Sequence, residues 1–152
     1  MSNIVISGAN EGIGFHMAKA LLEAGHRVAV LDIALDGASV LAETHPGSCL
    51  CIEADVRDFA ALERAVAEAA SSFGGIDAAV QNACLCPFEI FSDSSDEVYL
   101  SAYYVNFLGA VHLARAALPH MNEGGCIAFT SSGVGVTGFP LAERLCLHER
   151  RH

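Results

Sequence analysis

Residues 3–14 read NIVISGANEGIG, a short strand-forming run that passes directly into a segment carrying Gly8, Gly12 and Gly14. A helical pattern follows immediately, with apolar residues at Ile13, Met17, Ala20, Leu21 and Ala24 and a stop at Gly25. This junction constrains the chain most. A strand and a helix joined by so few residues must pack against each other, and their apolar faces need further strands beside them.

The remaining chain supplies those strands. Arg27–Asp32 (RVAVLD), Cys49–Asp55 (CLCIEAD), Asp77–Ala83 (DAAVQNA) and Cys126–Ser132 (CIAFTSS) read as four more. Between them, FAALERAVAEAASSFGG predicts a helix capped by Asp58 and ended by Gly74-Gly75, and residues 94–121 predict a long helix leading to Gly124-Gly125. Strands without polar alternation, separated by helices, predict a parallel sheet covered on both faces: a doubly wound α/β sandwich of three layers and about five strands.

Composition narrows the functions. With 152 residues the chain is expected to form one domain, and 53% hydrophobic against 17% charged residues suits a folded core. Eight basic against eighteen acidic side chains give a net charge of −10, which argues against a nucleic-acid or anionic-membrane partner. No membrane span or secretory leader is visible, and a cytoplasmic protein is expected. The six cysteines include two C-x-C pairs, Cys49/Cys51 and Cys84/Cys86. Neither pair has the spacing of a common zinc site, so buried, inert thiols are expected and no metal is assigned.

The glycine segment has a physical purpose between a strand and a helix. Gly8 permits a tight turn, Gly12 a close backbone approach to a ligand, and Gly14 close helix–strand packing. The free N–H groups and dipole of the helix start then suit a diphosphate. Asp32, eighteen residues after Gly14, suits the two hydroxyls of an adenosine ribose and repels a 2′-phosphate, although it also suits a helix N-cap. Glu11 adds to that repulsion, and no Lys or Arg stands nearby in sequence to receive a phosphate. NAD is therefore favoured over NADP.

With these motifs in view, the chain resembles the short-chain dehydrogenase/reductase family from Asn3 to about Pro140. SGANEGIG is similar to that family's T-G-x-x-x-G-I-G, with Ser7 in place of Thr. The resemblance implies a Rossmann-like domain over 1–140, followed by an atypical tail over 141–152. It implies cofactor contacts from Ser7, Gly8, Asn10, Glu11, Gly12, Ile13, Gly14, Asp32 and Ile33. It places Asp55 at the adenine amino group and Val56 against the ring. QNAC resembles the family's N-N-A-G, so Asn82, Ala83 and Cys84 close over the cofactor; Cys84 would strain the loop if that position requires positive φ. VNFLGA and GGCIAFTSSGVG are similar to the segments carrying the active-site Asn and Ser, which assigns those roles to Asn106 and Ser132, with Ser131 beside it. Without the resemblance, Asp55 equally suits a helix cap, Asn106 a packing residue and the two serines a turn.

The family's reaction moves a hydride between a nicotinamide and the hydroxyl or carbonyl carbon of an alcohol or ketone. Its proton passes through a Tyr whose pKa, about 10 when free, is lowered by a Lys four residues later. This sequence holds no Y-x-x-x-K: its tyrosines are Tyr99, Tyr103 and Tyr104, and its one lysine is Lys19. Leu145 and Glu149 stand where the pair is expected, and nothing in the sequence places the nearby His148 beside Ser132. The tail LAERLCLHERRH reads either as a frayed helix or as an ending that stops before the fold is complete. The second reading expects an exposed fifth strand, impaired catalysis and doubt over the family's homo-oligomer. The alternative function is a non-catalytic NAD-binding fragment or interaction module.

Overall fold

The computed structural model describes residues 1–86 and 93–132. Five parallel strands form one sheet: β1 (Asn3–Ser7), β2 (Arg27–Asp32), β3 (Cys49–Glu53), β4 (Ile76–Gln81) and β5 (Met121–Phe129). Their order is β3-β2-β1-β4-β5, so the chain reverses direction across the sheet at β1/β4. The helices are α1 (Gly12–Glu23), α2 (Ser39–Thr44), α3 (Phe59–Phe73), α4 (Asp96–Tyr103) and α5 (Gly109–Ala117).

Two cores separate the layers. Ile4, Ile6, Val28 and Val30 face Ala18 and Leu22 of α1 and Leu41 of α2. On the opposite face, Val5, Ala29 and Leu31 pack with Leu62, Val66 and Ala69 of α3 and Leu113 and Ala116 of α5. Alanines at that contact allow α3 and α5 to lie close together over the sheet. The doubly wound, three-layer Rossmann-like architecture follows directly from this division.

Several element boundaries differ from the sequence expectation. The fully buried stripe of α1 is Gly14, Ala18 and Leu22; of the expected row Met17 and Leu21 pack against the same core, while Ile13, Ala20 and Ala24 face solvent. Both rows repeat every three to four residues, and only the glycine that lets the helix sit against β1 selects between them. The short helix α2 is additional to the expected set. The long helix over 94–121 is divided: α4 ends in a π-helical turn at Tyr104–Leu108, and α5 ends in a 3-10 turn at Leu118–His120. Gly124-Gly125 lies inside β5, whose pairing with β4 slips between Ile76 and Ala78. Most of β5 is exposed among the described residues, and it forms an edge of the sheet.

At the amino-terminal edge of the strands, Asp77 accepts the Asn3 main-chain N–H at 2.7 Å and the Asn122 amide at 2.7 Å. The buried Asn3 amide donates to the carbonyls of Phe73 and Gly75. This network joins β1, the end of α3, β4 and β5, and leaves the opposite edge for the site.

Candidate functional site

The carboxyl-terminal ends of the parallel strands line one edge of the sheet, and β1 and β4 flank the point where the strand order reverses, the location at which open α/β sheets bind ligands. Gly8 has φ +66° and a Cβ there would overlap the main chain of Ala83. A Cβ on Gly14 would overlap the Gly8 carbonyl oxygen and lie 2.6 Å from the Asn82 amide nitrogen. These two glycines therefore allow β1, α1 and the loop after β4 to touch. Gly12 differs. Its φ is +59° and the space beyond its α-carbon is open, at the first residue of α1 where main-chain N–H groups lack helical partners.

Asn10 and Glu11 complete the turn with different tasks. The Asn10 side-chain oxygen accepts the N–H groups of Gly37 and Ala38 at 2.8 and 2.9 Å, and its amide donates to Asp36 at 3.2 Å. Asn10 thus fastens the segment between β2 and α2 to the glycine turn. Glu11 is exposed at the N-terminus of α1, where it makes no side-chain cap.

Asp32 ends β2. Among the described residues, its Oδ2 accepts the Asn10 N–H at 2.9 Å and its Oδ1 receives a long contact from Ala34 N at 3.4 Å. One oxygen is held and the other keeps accepting capacity toward the open side. Ile13 on α1 and Ile33, next after Asp32, are 70% and 65% exposed, two large aliphatic side chains left uncovered by the protein. Asp36, absent from the expected site set, adds a second carboxylate to the β2–α2 segment. Its only sequence signal is an Asp-Gly turn, which says nothing about Asn10.

Asp55 does not cap α3; Asp58 does, accepting from Ala60 and Ala61. Asp55 is gripped by Arg57, whose Nε lies 3.0 and 2.9 Å from its two oxygens and whose Nη2 lies 2.6 Å from Oδ2. That guanidinium holds the Asp55 carboxyl below the usual carboxylate range. Val56 is buried beside Gly109, and its carbonyl meets His112 Nδ1 at 2.8 Å.

The loop after β4 is tied from three sides. Ser7 Oγ pairs with the buried Gln81 side chain, which also donates to the Ala83 carbonyl at 3.1 Å. Asn82 donates to the Gly8 carbonyl at 2.7 Å. Asn106, in the π-helical turn, accepts the Leu85 N–H at 2.8 Å and donates to the Leu85 carbonyl at 2.9 Å. Both polar atoms of its side chain therefore hold the loop. Cys84 has no positive φ, so the strain expected of it is absent. Partial enclosure and the neighbouring Cys86 push its thiol up, which keeps it protonated at neutral pH.

The expectation of buried thiols holds for Cys49 and fails for Cys84, Cys86 and Cys126, which are exposed. Two of these lie in the loop beyond β4 and the third on the edge strand, so neither place offers cover. Thr130 extends the sheet ladder to Gln81 O at 2.9 Å, and Ser131 and Ser132 follow at the same edge, both exposed. Leu145, His148 and Glu149, with the rest of the tail, lie outside the described residues. Among the described residues no three His, Cys, Asp or Glu side chains converge as metal ligands, and no helix is long and apolar enough to cross a membrane.

The family model for short chain dehydrogenases matches residues 2–143. The chain belongs to the short-chain dehydrogenase family. It is 34% identical over 145 residues to an L-rhamnose 1-dehydrogenase (NAD(P)(+)) of Azotobacter vinelandii, covering 89% of this chain and 57% of that protein. It is 36% identical over 136 residues to the oxidoreductase UcpA of Salmonella typhimurium, covering 86% of this chain and 51% of the other. The chain thus spans about half the length of these relatives. Among solved structures, a short-chain dehydrogenase/reductase of Brucella melitensis superposes with TM-score 0.85 at 29% identity, covering 90% of this chain and 59% of that one. A short-chain dehydrogenase of Burkholderia cenocepacia in complex with NADP gives TM-score 0.85 at 27% identity, covering 91% and 58%.

Proposed function

We propose that the chain binds a nicotinamide dinucleotide at the carboxyl-terminal edge of its sheet, as the cofactor half of an NAD(P)-dependent oxidoreductase acting on an alcohol or ketone. The observation that carries this reading is the contrast within the glycine turn. Gly8 and Gly14 are filled by protein, whereas Gly12 faces open space at the start of α1. That space suits a diphosphate, which the unpaired N–H groups and the helix dipole attract. The NAD(P)(+) in the name of the Azotobacter relative and the NADP in the Burkholderia structure support the same ligand class.

The strand order then orients the ligand. A diphosphate at β1 leaves the adenosine ribose at Asp32 on β2 and the base at Asp55 and Val56 beyond β3. The nicotinamide half lies toward Cys84, Asn106 and Ser132. When bound, the dinucleotide supplies the hydride acceptor or donor. Ser132 then hydrogen-bonds the substrate oxygen, and Asn106 acts through the loop it holds.

NAD is favoured over NADP. Glu11, Asp32 and Asp36 place three carboxylates around the ribose end, and residues 28–56 contain no Lys or Arg to receive a 2′-phosphate. A second reading, binding without turnover by these 152 residues, is favoured by the placement of the available Tyr and Lys side chains. Tyr103 and Tyr104 lie at the α4 boundary, and Lys19 on α1 pairs with Glu23 at 3.7 Å. Fluorescence titration with NADH, followed by turnover assays on alcohols and ketones, separates the readings. Turnover lost in Ser132→Ala would establish catalysis; binding without turnover would leave a nucleotide-binding module; no binding at millimolar NADH would remove both.

A further inference from the structure

The Asp55–Arg57 pair adds a residue to the adenine end that the motif reading does not contain. Arg57 is two positions from Asp55, yet the contact is a designed grip in geometric terms. Asp55 Oδ1 accepts the Arg57 main-chain N–H at 2.9 Å and Nε at 3.0 Å, while Oδ2 accepts Nε at 2.9 Å and Nη2 at 2.6 Å. Three donor groups of one residue therefore hold both oxygens.

The grip leaves the carboxylate usable. Asp55 remains 30% exposed at its side chain, and a carboxylate offers about four acceptor positions. The main-chain carbonyl of Asp32 accepts Ala54 N at 2.8 Å, so the segment leading to Asp55 is itself held against β2. A base extending from a ribose at Asp32 would meet a carboxylate already bonded to the Arg57 guanidinium.

We propose that Arg57 is the positioning residue of the purine subsite, fixing the Asp55 carboxylate so that it accepts from a 6-amino purine and rejects a 6-oxo purine. This inference rests on the dinucleotide reading above. An exocyclic amino group donates to the carboxylate, whereas a 6-oxo group presents a second acceptor to it; the 6-oxo purine's donor is the neighbouring N1–H, displaced from that position, which a mobile carboxylate reaches and a fixed one does not. Without the guanidinium, Asp55 keeps only the Arg57 main-chain N–H on Oδ1 while Oδ2 loses both of its donors, so the free oxygen is no longer fixed and discrimination falls while the phosphate and ribose contacts persist.

The test is the ratio of two dissociation constants on the full chain, for NADH and for reduced nicotinamide hypoxanthine dinucleotide, read by nicotinamide fluorescence. The wild type should favour NADH by about tenfold, the worth of one charge-assisted hydrogen bond. Arg57→Ala should bring the ratio to within about threefold, and Arg57→Lys, which keeps the charge without the fork, should fall between. Far-ultraviolet circular dichroism checks that each variant is folded. A lost packing contact would weaken both ligands equally and leave the ratio unchanged. An unchanged ratio in Arg57→Ala, or a wild-type ratio near one, overturns the role of Arg57 while NADH binding itself stands. Failure of the wild type to bind either dinucleotide overturns the dinucleotide reading and this one together.

Discussion

Asn10 and Ala38 stand 28 positions apart, yet Asn10 Oδ1 accepts the Ala38 main-chain N–H at 2.9 Å and the Gly37 N–H at 2.8 Å. A residue of the glycine turn thereby caps the approach to α2 and sets the segment that carries Asp36. The turn is an anchor for its neighbours as well as a surface for a ligand.

Asn10→Ala removes the acceptor for two N–H groups and should cost about 1–2 kcal/mol of stability, the worth of a helix cap. Urea unfolding measures the loss, and NADH titration should show weaker binding as the segment after Asp32 loosens. Asn10→Asp keeps the acceptor but faces Asp36, so it should recover only part of the stability.

The carboxylates at the ribose end lead to a specificity test. Wild-type chain should bind NADH at least about tenfold more tightly than NADPH, because a 2′-phosphate would face Asp32 and Asp36 without a cation. Asp32→Asn should narrow that gap mainly through better NADPH binding, and Asp36→Asn should narrow it less. The effect should shrink at high salt, as screened repulsion does. A gap unaffected by both substitutions would place the ribose elsewhere.

Gly12 and Gly8 should separate binding from folding. At Gly12 an added methyl meets no atom of the described residues, so Gly12→Ala should cost mainly the positive φ, about 1 kcal/mol, and leave the chain folded. Dinucleotide affinity should nevertheless fall more than tenfold, since the methyl occupies the diphosphate's space. Gly8→Ala drives a methyl into the main chain of Ala83 and should prevent folding. Circular dichroism and NADH titration together distinguish the two outcomes.

Acid should weaken the fold through Asp77. The Asn122 amide and the Asn3 N–H hold its carboxyl below the ordinary value. The native state therefore binds fewer protons than the unfolded chain as pH falls past about 4. The stabilisation is present above the unfolded pKa and disappears as pH drops through the lower, folded one. Asp77→Asn should flatten the fall of urea midpoints between about pH 5 and pH 2, measured side by side with the wild type.

Much of this fold is legible locally. The run at β1, the glycine turn, the Asp58 cap and the left-handed Gly74 that ends α3 all follow from residues within a few positions of one another. Asp32 at the end of β2 could be located for the same reason. The buried face of α1 is legible only in part: Met17 and Leu21 pack inward as expected, but the fully buried row is shifted by one position, because neighbouring rows on a helix repeat at nearly the same period. The division of the 94–121 segment at a π-helical turn was equally hidden, since Asn106 and Gly109 meet partners at Leu85 and Val56 that local preference does not encode.

The sequence by itself determined the alternation of strands and helices, the glycine cradle and the acidic character of its rim, because these depend on backbone preference, side-chain size and formal charge. Packing of the layers sets which of those residues bond to other protein groups and which do not. Ser7 and Gln81 pair across 74 positions, Asn10 is committed to Gly37 and Ala38, and Asn106 to Leu85. A hydrogen bond joins whichever donor and acceptor the packed layers bring within about 3 Å, and that proximity is set by the order of the strands.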